Sequence, residues 1–213
     1  MATTLPGGSG TDVILPEGVS TEQVDIAVGS DGNTVVAIKE NTSGLDIEAA
    51  SSTAVTGKKI TDTTVNVSAK KGEDTNIVLE TTVAKSTTIT NEGKGSLEVN
   101  VNTGKVKGLT IDAGNKKRAD LVRIKDDVKL IDADFKMGKG NDTVRFGKGV
   151  TFKGTSSVNL GKGGKDSVIV EGKAKLDITN FTKKDTLTVG DDSYSYKDIK
   201  NGAEIKGISV DLA

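Results

Sequence analysis

The stretch that decides the fold is residues 137–146, MGKGNDTVRF, which returns 24 residues later as residues 161–170, GKGGKDSVIV. Each copy has a turn rich in glycine and lysine, then an aspartate, then two apolar residues separated by one residue. Glycine supplies the backbone angles that tight turns need, and aspartate accepts hydrogen bonds from turn N–H groups. Apolar residues at alternate positions are typical of a strand with one buried face. The stretch therefore predicts a tight turn that leads into a half-buried β-strand.

The same pattern of turn and apolar pair recurs along the chain at a nearly constant interval. Successive pairs begin 20, 25, 22, 24 and 19 residues apart, at Ile77, Leu97, Val122, Val144, Val168 and Leu187. Each interval has room for two further apolar positions, such as Val128/Leu130 and Ala133/Phe135. Three short strands per repeat predict one coil of a solenoid, because a single coil buries its apolar residues only by stacking on its neighbours.

We predict an all-β fold, a three-sided parallel β-solenoid (β-helix) of about 5–7 coils with a period near 22 residues. Five coils are expected between residues 74 and 196, and one or two more between residues 35 and 67. A β-sandwich or jelly roll is the alternative, since strands spaced about 8–12 residues apart suit it too. The near-constant period favours the solenoid.

The domain organisation follows from the two prolines, which both lie near the start of the chain. We predict an extended N-terminal arm over residues 1–20 and a solenoid domain with a C-terminal capping strand over residues 21–213. The arm is expected to bind a partner protein through Leu5, Pro6, Val13, Ile14, Leu15 and Pro16.

The composition argues against several classes of function. The 213 residues include 29 basic and 30 acidic side chains, with no Cys, His or Trp. Ser-His-Asp or Cys-His nucleophiles and thiolate or imidazole metal sites are therefore excluded. A net charge of −1 argues against nucleic acid as a partner, and no apolar run approaches the roughly 18 residues that span a bilayer. The first ten residues, MATTLPGGSG, do not predict a Sec-type signal. We expect a protein that is not an enzyme and that binds neither nucleic acid nor membrane.

A carbohydrate-active β-helix is a further alternative, because Asp132 and Asp134 alternate around Ala133 and are expected on one outer face. Two carboxyl groups across a sugar are what glycoside hydrolysis requires. Aromatic residues make up only 3% of the chain, which argues against a sugar-stacking enzyme.

The outward residue inside each leading pair predicts an outer-face column that contains Glu98, Arg123 and Arg145. Such arginines either receive an anionic polymer or a partner's carboxylates, or they pair within the chain. A cross-strand pair of Glu98 with Arg123 is the more common arrangement and contributes about 0.2–1 kcal/mol.

The two quoted turns resemble the glycine-aspartate repeats of the RTX (haemolysin-type calcium-binding) family. The resemblance implies Ca²⁺ held by Asp142 and Asp166, with Asp120 and Asp185 on neighbouring coils. RTX motifs recur about every nine residues, whereas these aspartates are 24 apart, and lysines accompany them. Turn chemistry alone also explains Gly and Asp here. We therefore predict no cofactor, with calcium as the alternative.

The chain as a whole is similar to small accessory structural proteins of bacteriophage particles, especially those that infect marine cyanobacteria. The similarity rests on the start that contains Pro6 and Pro16 and on a compact solenoid rich in Thr, Val, Gly and Lys. It implies a virion protein, assembled in the host cytoplasm, that serves as a capsid decoration, fibre or tail-associated protein. Its partners would be other virion proteins, and it would be present in many copies or as a homo-oligomer. The alternative is a type I-secreted, RTX-like surface adhesin or S-layer component that binds calcium outside the cell.

Overall fold

The computed structural model describes residues 3–7, 13–15, 24–28, 33–38, 41–68 and 70–213. Within these ranges the chain is almost entirely β-structure, with one short helix near the C-terminus. The elements are β1 (Thr3–Gly7), β2 (Val13–Leu15), β3 (Val24–Val28), β4 (Thr34–Ile38), β5 (Thr42–Ser43), β6 (Leu45–Ala49), β7 (Thr53–Val67), β8 (Asp74–Asn91), β9 (Ser96–Val101), β10 (Lys105–Asp112), β11 (Leu121–Ile124), β12 (Lys129–Lys136), β13 (Thr143–Phe146), β14 (Thr151–Lys153), β15 (Ser157–Asn159), β16 (Ser167–Val170), β17 (Leu176–Phe181), β18 (Thr186–Val189), β19 (Asp192–Ser195), α1 (Tyr196–Lys200) and β20 (Ile208–Leu212).

The strands wind into a parallel β-solenoid of about seven turns with a period of about 22 residues. Val122 of β11 lies beside Val99 of β9 on one side and Val144 of β13 on the other. The long strands β7 and β8 bend twice and pair through three successive segments, which are the three faces of a coil. The structure therefore confirms the predicted three-sided parallel solenoid over the sandwich.

The core is a column of inward side chains that runs through the stack. In β4, buried and half-buried residues alternate strictly, and the buried Val36 and Ile38 belong to the same cluster as the core residues of the later coils. In the later coils all four phenylalanines, Phe135, Phe146, Phe152 and Phe181, join the aliphatic residues. The rings of Phe135 and Phe146 meet edge to face at a centroid distance of 5.5 Å, and Phe146 meets Phe152 at 5.2 Å. Stacked coils thus supply the apolar burial that stabilises each one.

The register of the coil that contains Leu97 differs from the predicted one. The structure places Val99, and not Leu97, beside Ile77, whereas Leu97 lies beside Thr75. Strand β9 buries three alternating residues, Leu97, Val99 and Val101, so the sequence alone left two possible pairs. The correct choice gives intervals of 22 and 23 residues in place of 20 and 25.

One corner of the coil, between its second and third faces, is built from residues in the left-handed region. We call it the left-handed corner. It contains one residue per coil, with φ between 49° and 72°: Gly44, Asp62, Ser86, Gly108, Asp132 and Gly154.

The structure differs from the predicted extended arm over residues 1–20. The two strands that it describes there belong to the sheet. Strand β1 pairs with β3, and β2 pairs with β4, both in parallel. Val13 is buried in the common core, because these strands continue the stacking of the later coils. The remainder of residues 1–20, including Pro16, lies outside the described residues.

The C-terminal end has a different construction. Strand β19 folds back on β18, and within the described ranges this is the one antiparallel pairing. Helix α1 follows, and Ser195 caps it by accepting a hydrogen bond from the Asp198 N–H. Strand β20 then pairs with β17, at the position expected for a capping strand. In the part of the chain that the structure describes, no helix is long and apolar enough to cross a membrane.

Candidate functional site

Four aspartates form a continuous ladder at the corner that leads from the third face of one coil to the first face of the next. We call Asp120, Asp142, Asp166 and Asp185 the aspartate ladder. Each is buried, with at most 3% of its surface exposed. The Asp120, Asp142 and Asp166 N–H groups each donate to the Oδ1 of the next aspartate along the ladder, at 2.9, 2.8 and 2.8 Å. The Leu97 N–H donates to Asp120 at 2.7 Å, so the ladder joins five consecutive coils.

The glycines of the same turns allow the coils to approach backbone to backbone. A Cβ atom on Gly164 would lie 1.5 Å from the Gly140 carbonyl oxygen, and one on Gly140 would lie 1.6 Å from that of Arg118. No side chain fits at such distances. Glycine and aspartate, the two residue types that resemble RTX repeats, therefore both have a direct role in stacking.

Burial changes the protonation of the ladder. Loss of solvent raises the pKa of Asp120 to about 6, and the bond from Leu97 opposes this only in part. The pKa of Asp166 also rises to about 6 by burial. Burial raises the pKa of Asp142 to about 7, with the charges of Asp120 and Asp166 adding to the effect. The Oδ2 atom of Asp142 is buried without a hydrogen-bond partner. Asp142 is therefore partly protonated near neutral pH.

The ladder does not fit the calcium site that the RTX resemblance implies. Calcium takes about six to eight oxygen ligands, whereas one oxygen of each ladder aspartate accepts a backbone N–H. Among the described residues no group of three or more His, Cys, Asp or Glu side chains is placed to hold a metal ion. Lys139, Lys162 and Lys165 lie on the same turns and would repel a cation. The aspartates predicted as ligands are brought together, but as acceptors between coils.

The outer-face column is occupied by ion pairs within the chain. Arg123 and Arg145 lie side by side in register, whereas Glu98 lies beside Leu121, two residues along the strand from the predicted position beside Arg123. Arg123 still contacts the Glu98 carboxylate diagonally. Arg145 donates from Nε to Glu171 Oε1 at 2.7 Å. Sequence reasoning missed Glu171 because it follows the strand and lies outside the alternating pattern.

The carboxylates considered for sugar chemistry also make contacts between coils. Asp132 lies at the left-handed corner with φ 55°, where its Oδ1 accepts the Thr155 N–H at 3.1 Å. Asp134 accepts the Ser157 hydroxyl at 2.5 Å. Because the chain bends at Asp132, the two carboxylates do not share one outer face, which corrects the expectation from their alternation.

The predicted partner-binding residues are described only in part. Val13 is buried, whereas Ile14 is 54% exposed, and among the residues that the structure describes it is the one large hydrophobic side chain that is so open to solvent. The side chains of Leu5, Pro6 and Leu15, like the whole of Pro16, lie outside the described residues. Among the described side chains of this set, Ile14 is therefore the one that is exposed enough to contact a partner.

A groove beside the ladder was not predicted. It encloses about 330 Å³ and its walls include Lys117, Arg118, Lys139 and Lys162. We call it the basic groove. Each of these residues belongs to a turn between strands, and their alignment appears only when the coils are stacked in register.

No protein-family profile, curated protein or solved structure matches this chain.

Proposed function

We propose that this chain is a non-enzymatic structural and binding module, and specifically an accessory protein of a bacteriophage particle, such as a capsid decoration, fibre or tail-associated protein. The observation that carries the proposal is the use of the ladder carboxylates. Asp120, Asp142, Asp166 and Asp185 are the residues for which the RTX resemblance implies calcium binding, and each accepts a backbone N–H from another coil. Such a corner supports the stacking of a rigid rod.

The dimensions of the solenoid suit a spacer. About seven turns, each about 4.8 Å from the next, give a rod of roughly 34 Å. Hydrogen bonds along the whole stack make such a rod stiff, because every coil is held by both of its neighbours. Many copies on one particle would strengthen a weak individual contact through avidity.

The difference between the two ends of the rod favours attachment through the N-terminal end. The C-terminal end is covered by β19, α1 and β20. The N-terminal coils present the exposed Ile14, and isolated exposed apolar residues of this size contribute to protein interfaces when they become buried. We propose this end as the one that binds a capsid or tail protein.

Immunogold labelling with antibodies to this chain tests the proposed location. Labelling and mass spectrometry of particles purified from the phage that encodes the chain should find it on the virion surface in repeated positions. Label on the cell surface or in the culture medium, with none on particles, would instead support the secreted adhesin.

A pair of outward isoleucines tests the attachment end. Ile14→Ser should reduce the amount of the chain on particles by about tenfold, since about 1.4 kcal/mol of lost burial has that effect. Ile169→Ser removes a similar residue from the outer face of β16 and should leave incorporation unchanged. Equal loss in both variants, or no loss in either, would contradict attachment through the N-terminal end.

A further inference from the structure

The basic groove brings together cations from three consecutive coils. Lys117 and Lys139 are directly paired across a parallel bridge, and the Lys162 N–H bonds to the Gly138 carbonyl at 3.1 Å, which places Lys162 beside Lys139. Successive coils are about 4.8 Å apart. The backbones of the three lysines therefore follow one another on three successive coils at about that spacing.

Among the described residues, Lys117, Lys139 and Lys162 form no ion pair with an acidic side chain. Ion pairs such as those of Arg123 with Glu98, Lys136 with Asp134 and Arg145 with Glu171 lie elsewhere on the solenoid. The ladder aspartates on the same turns are buried behind the backbone, where their raised pKa also limits their negative charge near pH 7. The groove is thus a local positive surface on a chain whose net charge is −1.

The residues that line the groove include no aromatic ring. Gly163 is one of them and is exposed to solvent. Arg118 is held in place because its Nε donates to the Lys94 carbonyl at 3.2 Å. A groove that bound single-stranded nucleic acid would be expected to offer aromatic rings on which bases stack, and the residues that line this groove include none.

We propose that the basic groove binds a linear acidic polysaccharide, with the row of lysines facing successive carboxylate or sulfate groups. Arg118 and the exposed backbone of Gly163 would hydrogen-bond to sugar hydroxyls. This function goes beyond the proposed structural role and does not depend on where the protein is assembled. It requires no catalytic group, since the ligand is held and not cleaved.

Binding to polygalacturonate tests the proposal, with uncharged dextran as the reference polymer. The full chain should bind polygalacturonate in calorimetric titration and should not bind dextran. The triple variant Lys117→Gln, Lys139→Gln, Lys162→Gln should bind it at least about tenfold more weakly. The matched control is Lys105→Gln, Lys107→Gln, Lys153→Gln, which removes the same charge from exposed positions on another face and should change affinity less than about twofold.

Three results would overturn the proposal. The first is absence of binding by the full chain, and the second is an equal loss in both triple variants, which would indicate general charge attraction. The third is binding of a single-stranded oligonucleotide through the same lysines at equal or higher affinity, which would assign the groove to nucleic acid. Thermal unfolding of both triple variants checks that they fold, and Lys→Arg at the three groove positions should retain binding.

Discussion

Two corners of the same coil use aspartate in opposite surroundings. Asp142 of the aspartate ladder is 1% exposed and accepts the Asp120 N–H at 2.9 Å. Asp132 of the left-handed corner is exposed to solvent and accepts the Thr155 N–H at 3.1 Å. The hydrogen bond between coils is almost the same, but only the ladder places a carboxylate out of contact with water. The comparison shows that stacking requires a hydrogen-bond acceptor at the corner of the coil. Burial of the negative charge on that acceptor additionally lowers the stability of the folded state.

The largest effect is expected from a side chain placed between the ladder turns. Gly164→Ala would put Cβ 1.5 Å from the Gly140 carbonyl, so the coils must separate, and we expect a loss of about 4 kcal/mol or more in unfolding free energy. Gly163 is the matched control, since it also has positive φ but no atom within 4 Å of its Cβ position. Gly163→Ala should cost only about 1–2 kcal/mol. Urea denaturation measures both, and equal losses would contradict backbone contact between the turns.

The pH dependence of stability should follow the ladder. Burial raises the pKa of Asp120, Asp142 and Asp166 to about 6, 7 and 6, above the ordinary value that these groups regain on unfolding. Between about pH 4 and pH 7 the folded state therefore binds more protons than the unfolded state, and stability falls as pH rises. One pKa unit corresponds to about 1.36 kcal/mol, so we expect the unfolding free energy to be about 3–5 kcal/mol higher at pH 5 than at pH 8. Urea denaturation at both values tests this, and higher stability at pH 8 would contradict it.

Replacing a ladder carboxylate with a neutral hydrogen-bond acceptor should recover part of the stability that is lost when the buried aspartates ionise. Asp142→Asn keeps an oxygen for the Asp120 N–H and removes the buried charge, so it should stabilise the protein by about 1–2 kcal/mol at pH 8. The gain should shrink toward pH 5, where Asp142 is already protonated. Asp132→Asn is the control at the exposed corner and should change stability by less than about 0.5 kcal/mol. If the two variants behave alike at pH 8, burial is not the cause of the difference between the corners.

The smallest effect is expected on the outer face, where the charges are hydrated. Arg123 and Glu98 are both substantially exposed, so a double-mutant cycle with Arg123→Ala and Glu98→Ala should give a coupling of about 0.2–1 kcal/mol. High salt should reduce it. A coupling above about 2 kcal/mol would show that this face contributes to stability as strongly as the ladder.

The sequence allowed the fold and the position of the ladder to be predicted, because both depend on a local pattern that repeats. In four successive coils, a turn ends in an aspartate that comes just before an apolar pair. The period then places Asp120, Asp142, Asp166 and Asp185 in one column without any knowledge of their contacts.

What could not be predicted depends on register between distant coils. Leu97 occupies the position of a ladder aspartate in its own coil, and its N–H donates to Asp120 of the next coil. Because its side chain is apolar, the sequence pattern indicated that it was the first residue of an apolar pair. Glu171 and the basic groove were missed for the same reason, since Lys117, Lys139 and Lys162 become neighbours only when the turns are stacked. The pairing of β1 and β2 with the sheet was not predicted, because the prolines and glycines near these strands indicated a separate arm.

The aspartate ladder is, in our interpretation, a set of hydrogen-bond acceptors and not a calcium site, and thermal unfolding at neutral pH tests this most directly. The melting temperature is measured in millimolar Ca²⁺ and again in the same buffer with a chelator. We predict that the two melting temperatures coincide, because each ladder aspartate already uses an oxygen to bind a backbone N–H. A melting temperature many degrees lower in chelator would contradict this interpretation, since calcium at 100 times its dissociation constant would add about 2.7 kcal/mol. That result would assign Asp142 and Asp166 as ligands.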